Sequence, residues 1–470
     1  MQKRHLARRG FIQATAGALL ATRLSAQAPP KQPNIILILC DDLGFGDTHP
    51  YGSSIATPNL DNLAGQGVRF QQFYSTSGLC SPSRASLMTG RYATRVGVPG
   101  VLTADAAVGM SLSEQTIADV VKSVGYKTMC IGKWHLGAKA DYLPTKRGFD
   151  EYYGIPYSND MSPSVLLSNA SVIETPVQLD TLTQRYTQKA KDFITRSKSS
   201  PFFLFMAHTF PHIPLAVSPA FRGKSGLGLY GDVIQEIDWS VGQVMQSLVD
   251  NGIADNTMIM FLSDNGPWYQ GSPGKLRGRK GSSYEGGVRV PLIAHFPGRI
   301  PAGKLRGMIT VPRVANSITS TLDILPTVAG LAGAPLPAHA LDGVDIWPLL
   351  SGAQTNIPHD MFLYFDNWNL QCARLGQWKI HVARYNSFPW SPDPVAGYFN
   401  LPITPELYNL ERDPEEAFDV ASDNPDVVAD MTARILKLLP TFPPEVSIAW
   451  NSTMSQRSYG ADGGLPVRIP

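Results

Sequence analysis

The sequence predicts an α/β fold: a large mixed, mostly parallel sheet with helices on both faces, followed by a smaller C-terminal α+β subdomain with a short antiparallel sheet. Three observations predict it. Nearly continuous apolar runs recur as NIILILC (34–40), YKTMCIG (126–132), PFFLFMA (201–207), NTMIMFLS (256–263) and VPLIAHF (290–296). Such runs suit strands buried on both faces of a parallel sheet. Helical stripes lie between them, and this alternation argues for helices packed on both faces. Near residue 355 the texture changes to short segments rich in aromatics, proline and glycine.

The elements follow in chain order. Residues 1–28 have a basic start, a short apolar stretch and a small-residue end at Ala26–Ala28, the anatomy of an export signal. Arg8-Arg9 followed by Gly10-Phe11 resembles a twin-arginine signal, so the expected protein is bacterial, exported, and periplasmic or secreted. The apolar run from Phe11 to Thr22 is too short to span a bilayer, and no membrane span is expected. A Pro-rich junction then opens a catalytic α/β domain over 33–354. In TIADVVKSVG (116–125) and in the stripe Val233, Ile237, Val241, Val244 and Leu248, apolar residues fall three or four apart. Gly125 and Gly252 stand where those helices should stop. The C-terminal subdomain is placed at 355–445. There MFLYFDN, LGQWKIHVA and PELYNLERDPEE read as short strands and turns, and VVADMTARILKLL as one amphipathic helix. Residues 446–470 read as a tail.

Composition narrows the function classes. The 470 residues are 43% hydrophobic and 17% charged with a formal net charge of +2, so nucleic acid is a poor partner. Four cysteines, Cys40, Cys80, Cys130 and Cys372, are widely spread without a CxxC, which indicates neither a disulfide scaffold nor a zinc ribbon.

Chemistry is expected where the strands end, because open α/β sheets bind ligands beyond the carboxyl ends of their strands. NIILILC runs into Asp41-Asp42 and NTMIMFLS into Asp264-Asn265. YKTMCIG runs into Lys133-Trp134-His135, and PFFLFMA into His208 and then His212. Three carboxylates and an amide oxygen brought together would repel one another unless a cation sat between them, and all-oxygen ligation selects Ca²⁺ or Mg²⁺. Gly44-Phe45-Gly46 fails as a dinucleotide loop because position 49 is His. Arg84, Lys133 and Lys280 add positive charge, and His135 and His212 can move protons. A metal ringed by acids, beside such groups, is what an oxyanion ester hydrolase needs. Cys80, which opens CSPSRASLMTGR (80–91), has two readings. A thiol near a helix N-terminus and an arginine should have a lowered pKa; alternatively it is a half-buried cysteine on a turn.

The stretch CSPSRASLMTGRY (80–92) resembles the signature of the type I sulfatases, members of the alkaline phosphatase superfamily. The resemblance continues through DDLGFGD (41–47), GKWHLG (132–137), GFDEYYGIPYSND (148–160), HTFPHIP (208–214), SDNGP (263–267), GKLRGRKGSSYEGGVRVP (274–291) and LYNLERDPEE (407–416). Within that family it is similar to the branch of arylsulfatase A and N-acetylgalactosamine-6-sulfatase. The resemblance implies that a formylglycine-generating enzyme converts Cys80 into Cα-formylglycine. It implies that Asp41, Asp42, Asp264 and Asn265, with the modified Cys80, ligate one Ca²⁺. Arg84, Lys133, His135, His212 and Lys280 would line the sulfate pocket, and His208 would stand on the substrate side.

The implied reaction is the hydrolysis of sulfuric esters, aryl sulfates or sulfated carbohydrates attacked from a chain end. Asp264 would be the base for the attacking hydroxyl, Lys280 or His212 the proton donor to the leaving alcohol, and His135 the base that regenerates the aldehyde. Two alternatives stay open: a phosphomonoester or phosphonate monoester hydrolase of the same superfamily, and a non-catalytic binder of sulfated glycans in which Cys80 is unmodified. The loops 155–180 and 385–405 are expected to set the substrate.

Overall fold

The computed structural model describes residues 32–306, 309–357, 359–385 and 400–456. The expected export signal, most of the loop 385–405 and the end of the expected tail lie outside the described residues.

Ten strands build the main sheet in the order Arg313–Ala315, Val68–Phe70, Leu292–His295, Thr257–Ser263, Asn34–Cys40, Phe202–Ala207, Lys127–Gly132, Glu151–Gly154, Leu166–Ser168 and Ser171–Glu174. The five strands from Thr257–Ser263 to Glu151–Gly154 are mutually parallel. Antiparallel pairs flank them. The central strand shows why the apolar runs carry no alternation. Its Ile35, Leu37 and Leu39 enter one core and its Ile36, Ile38 and Cys40 the other, all fully buried.

On the first face pack the helices Cys80–Thr89, Ile117–Lys122 and Ile324–Ala332. On the second pack Pro58–Gly65, Leu182–Ser197 and Gly228–Asp250. The helix Ile117–Lys122 starts where Thr116 and Asp119 form a reciprocal capping box, which satisfies two backbone donors that have no partner within the helix. The run VPLIAHF becomes Leu292–His295, antiparallel to Thr257–Ser263. An apolar run reports burial on both faces but not strand direction.

The C-terminal part is a four-stranded antiparallel sheet, Phe362–Asp366, Asn369–Leu375, Trp378–Tyr385 and Asn400–Asn409, in sequence order. The helix Pro425–Leu438 packs on it through Met431 and Ile435. Residues read from sequence as the start of a tail form a further helix, Pro444–Met454, with Val446 fully buried. Its only other buried residue is Thr453, so it leaves almost no apolar stripe to read. Tyr74, Tyr92, Val288 and Leu322 of the larger part share the core of this sheet.

Candidate active site

The site is assembled by strand order. Thr257–Ser263, Asn34–Cys40, Phe202–Ala207 and Lys127–Gly132 are neighbours and parallel, so their carboxyl ends form one edge. The hydrogen-bonded ladder runs one residue past these ends. Asp264 N–H donates to the Cys40 carbonyl at 3.1 Å, His208 N–H to Leu39 at 2.8 Å and Lys133 N–H to Ala207 at 2.9 Å. Gly132 has φ 96° and a Cβ there would stand 1.7 Å from the Ala207 carbonyl oxygen, so only glycine lets Lys133 turn inward at this point. Asp42 and His135 also have positive φ, 64° and 62°, a conformation that costs free energy for any residue with a Cβ. Two such residues at one strand edge mark a place where side-chain position outweighs backbone ease.

The predicted acids and bases meet here, buried. Lys133 Nζ donates to Asp41 Oδ2 at 2.6 Å and to Ser158 Oγ at 3.1 Å. Arg84 Nε donates to Asp264 Oδ2 at 2.9 Å, and its Nη2 lies 3.5 Å from Asp41 Oδ1. Lys280 Nζ donates to Asp42 Oδ2 at 2.8 Å, and His212 Nε2 stands 3.7 Å from the same oxygen. Asp42 N–H donates to Asp264 Oδ1 at 3.1 Å, tying the two acid pairs together. Burial would raise the Asp41 carboxyl, but Lys133, His212 and Arg84 hold it well below the usual range. Asp264 goes the other way: burial and the neighbouring Asp41 push it up to about 7 against the pull of Arg84. One carboxylate is thus kept charged while its neighbour stays close to protonation.

Cys80 is the first residue of the helix Cys80–Thr89, and its thiol donates to Asp41 Oδ1 at 3.6 Å. The lowered pKa expected from a helix N-terminus and an arginine is not found. Burial pushes this thiol up to about 12, Lys133 and Lys280 pull it down, and Asp41 and Asp264 raise it again. Burial thus disfavours the thiolate, which suits a side chain that needs conversion before it does chemistry. It is not the half-exposed turn cysteine of the other reading either.

Ligand atoms of Asp41, Asp42, Cys80 and His212 lie within 4.8 Å of one another, a group that includes His212 and not the expected Asp264. Asn265 Nδ2 donates to Asp42 Oδ1 at 2.8 Å, while its Oδ1 is buried without any hydrogen-bond partner. A buried carbonyl oxygen left without a donor is costly unless something positive meets it. Carboxylate and amide oxygens are hard ligands, so the residues fit a hard divalent cation.

The histidines differ in their surroundings. His135 Nε2 bonds the Leu102 carbonyl at 2.8 Å and its Nδ1 has no partner; burial, Lys133 and Arg84 lower its pKa well below the usual value. His212 Nδ1 bonds the Ile213 carbonyl at 2.5 Å. Burial and Lys280 lower the His212 pKa as well. His208 stands apart from the charged cluster. Neither of its ring nitrogens has a partner among the described residues, and burial alone pushes it down to about 4. Ser158, which touches Lys133, went unread in the sequence, because one serine in a loop carries no periodic or spacing signal.

The comparisons agree with this geometry. The Sulfatase family pattern matches residues 33–334, and the pattern described as the C-terminal region of aryl-sulfatase matches 357–458. Arylsulfatase A of Bos taurus is 38% identical over 95% of this chain and 94% of its own length. N-acetylgalactosamine-6-sulfatase of Canis lupus familiaris is 37% identical over 86% and 84%. Among solved structures, a Bacteroides thetaiotaomicron protein from a study of glycosaminoglycan metabolism superposes with a TM-score of 0.78 at 29% identity, covering 87% of this chain and 99% of that one. The structure of Ps i-CgsB in complex with k-i-k-neocarrahexaose gives 0.73 at 29% identity, covering 92% and 96%. With the acid-lined strand edge and these matches along nearly the whole chain, the protein belongs to the sulfatase family and is a sulfuric ester hydrolase.

Proposed function

We propose that this sulfatase removes sulfate from the chain ends of sulfated carbohydrates, using a formylglycine made from Cys80 and one Ca²⁺. The observation that carries this reading is the placement of Cys80. Its side chain enters a buried, oxygen-lined cluster within reach of Asp41, beside Lys133 and Lys280. The relatives named for N-acetylgalactosamine 6-sulfate and the neighbour bound to neocarrahexaose support a sugar substrate.

Asp41, Asp42, Asp264 and Asn265 would hold the Ca²⁺ together with the oxidised Cys80. When bound, the cation would acidify a hydroxyl and neutralise sulfate charge. The hydrated formylglycine would supply two hydroxyls, one to attack sulfur and one to let the sulfate leave. The remaining steps belong to the chain. Asp264 takes the first proton. Lys133 and Lys280 orient sulfate oxygens, and Arg84 fixes Asp264 through Nε. The leaving alcohol takes its proton from His212 or Lys280. Neutral His135 accepts the last proton at Nδ1, the nitrogen left free because Nε2 is engaged by Leu102. His208 acts on the substrate side.

Mass spectrometry of the Cys80 peptide tests the modification: loss of sulfur and two hydrogens with gain of oxygen is expected. An intact thiol in fully active enzyme overturns it. The modified enzyme should hydrolyse 4-nitrophenyl sulfate with far higher kcat/KM than 4-nitrophenyl phosphate, and the reverse order would point to a phosphoesterase. We further place the protein outside the cytoplasm, on the strength of Arg8-Arg9 and the Ala26–Ala28 end. Replacing both arginines with lysine should then retain it inside the cell; unaffected export would refute the twin-arginine route.

A further inference from the structure

Beside the acid cluster lies a cavity of about 630 Å³, within the size range of sites that bury drug-sized ligands, on the order of 300–1,000 Å³. One wall comes from the segment 269–284, which carries Lys280. The other comes from the C-terminal sheet, through Gln371, His381 and Arg384. Lys280 belongs to both places: it lines the cavity, and its Nζ bonds Asp42. The cavity and the acid cluster therefore meet at one residue.

The lining is chemically one-sided. It contains Arg277, Arg279, Lys280 and Arg384 and not one carboxylate. Arg277 and Arg384 both face the ring of Tyr284, at 4.1 and 5.5 Å from its centroid. Arg277 donates to the Glu416 main-chain carbonyl at 2.8 Å, and Arg279 donates to the carbonyls of Trp268 and Gly271. Arg277 also bonds the Tyr408 hydroxyl and Arg279 stabilises the Asp47 charge from a distance, but neither forms a close ion pair among the described residues. Arg384 does pair with Glu406, yet its Nε is buried without a partner among the described residues. Glu406 is the one carboxylate paired with either guanidinium at this ring among the described residues, so the two keep a net positive charge that a further anion would relieve. Tyr269, Tyr284, Pro273 and Leu276 supply apolar and aromatic faces of the kind on which a sugar ring packs.

We propose that this cavity is a subsite for a second anionic substituent of the substrate, a sulfate or a carboxylate other than the ester being cleaved. Arg277 is its principal ligand and Arg384 completes it. This sulfatase therefore selects polyanionic sugars over singly charged ones. The inference rests on the carbohydrate reading above and deepens it.

The test compares kcat/KM on 4-nitrophenyl sulfate, a monosulfated N-acetylhexosamine, its disulfate, and a monosulfated disaccharide carrying a uronic acid. Wild type should favour the doubly charged sugars over the monosulfated one at least tenfold, mainly through KM. That ratio should shrink with added salt. In Arg277→Met and in Arg384→Met the ratio should fall toward one, while Arg277→Lys retains part of it. Turnover of 4-nitrophenyl sulfate reports that each variant is folded and mature. A preference for the disulfate alone assigns the site to sulfate, and for the uronic acid alone to carboxylate; either supports it. Equal kcat/KM for singly and doubly charged sugars in wild type, or an unchanged ratio in both methionine variants, overturns the subsite and leaves the carbohydrate reading standing. Hydrolysis of 4-nitrophenyl sulfate with no sulfated sugar cleaved overturns both.

Discussion

Two buried charged clusters, close in sequence along GKLRGRKGSSYEGG (274–287), are built on opposite terms. The strand-edge cluster joins Asp41, Asp42 and Asp264 to Arg84, Lys133 and Lys280. The second joins Glu285 and Glu416 to Lys379, Arg374, Arg289 and His381, where the larger part meets the C-terminal sheet. In both, every carboxylate oxygen has a donor, and in the second the acids need nothing more. Glu285 Oε1 accepts from Lys379 at 3.0 Å and Oε2 from Tyr74 at 2.7 Å. Glu416 Oε1 meets His381 at 2.7 Å, and its Oε2 accepts from the Glu285 N–H at 2.6 Å. The first cluster is left unfinished: Asn265 Oδ1 has no partner, and Asp264 is driven up rather than down. A closed network holds a fold together. An open one keeps its unmet polar atoms for something that is not part of the chain.

The largest effect should come from the open cluster and should appear in activity alone. Cys80→Ala should lower turnover of 4-nitrophenyl sulfate by roughly 10⁴-fold or more, the scale of deleting a nucleophile. Its thermal midpoint should stay close to wild type. An unfolded alanine variant would show that this cluster also carries the fold, and the contrast between the two would break.

Glu285→Gln should do the opposite. Removing one charge from a buried, paired network costs about 3–5 kcal/mol, because Arg374 loses its counter-charge while still buried and Lys379 keeps only Glu416. Thermal and urea unfolding should read that loss, while turnover per folded molecule is retained. Equal loss of turnover in the folded fraction would merge the two clusters into one functional unit.

The pH dependence of stability sharpens the contrast further. Burial would raise Glu285, but Lys379, Arg374 and Arg289 lower it from 4.5 to about 2. A depressed acid contributes stability that is present above its unfolded value and lost as pH falls through its folded one. The network should therefore supply about 3 kcal/mol above pH 4.5 that disappears toward pH 2. Glu285→Gln should lack that slope. Asp264 has the reverse sign: in chelator-treated protein its contribution is present below its usual 3.8 and lost as pH rises through about 7. Melting temperature against pH, with and without chelator, separates the two. A single common slope would refute the distinction.

The smallest effect belongs to Ser158→Ala, which removes one hydrogen bond to the Lys133 ammonium, worth about 1.5–3 kcal/mol when the donor is charged. A loss of roughly tenfold to a hundredfold in kcat/KM is expected from that figure. No change would mean that Asp41 alone positions Lys133.

The doubly buried strands and the residues collected at their ends were legible in the amino-acid order alone. A strand buried on both faces is apolar throughout, as Ile35 to Leu39 are, and the polar residues that follow stand out against it. The family was legible there as well, through motifs that keep their order along the chain. Other properties were decided only by the tertiary structure. The direction of Leu292–His295, the burial of Val446 and the closure of Glu285 on Lys379, 94 residues away, depend on partners that no local pattern names. The state of Cys80 was decided there too. Helix start and arginine argue for a reactive thiol, but desolvation is a property of the packed surroundings, and here it outweighs the nearby cations.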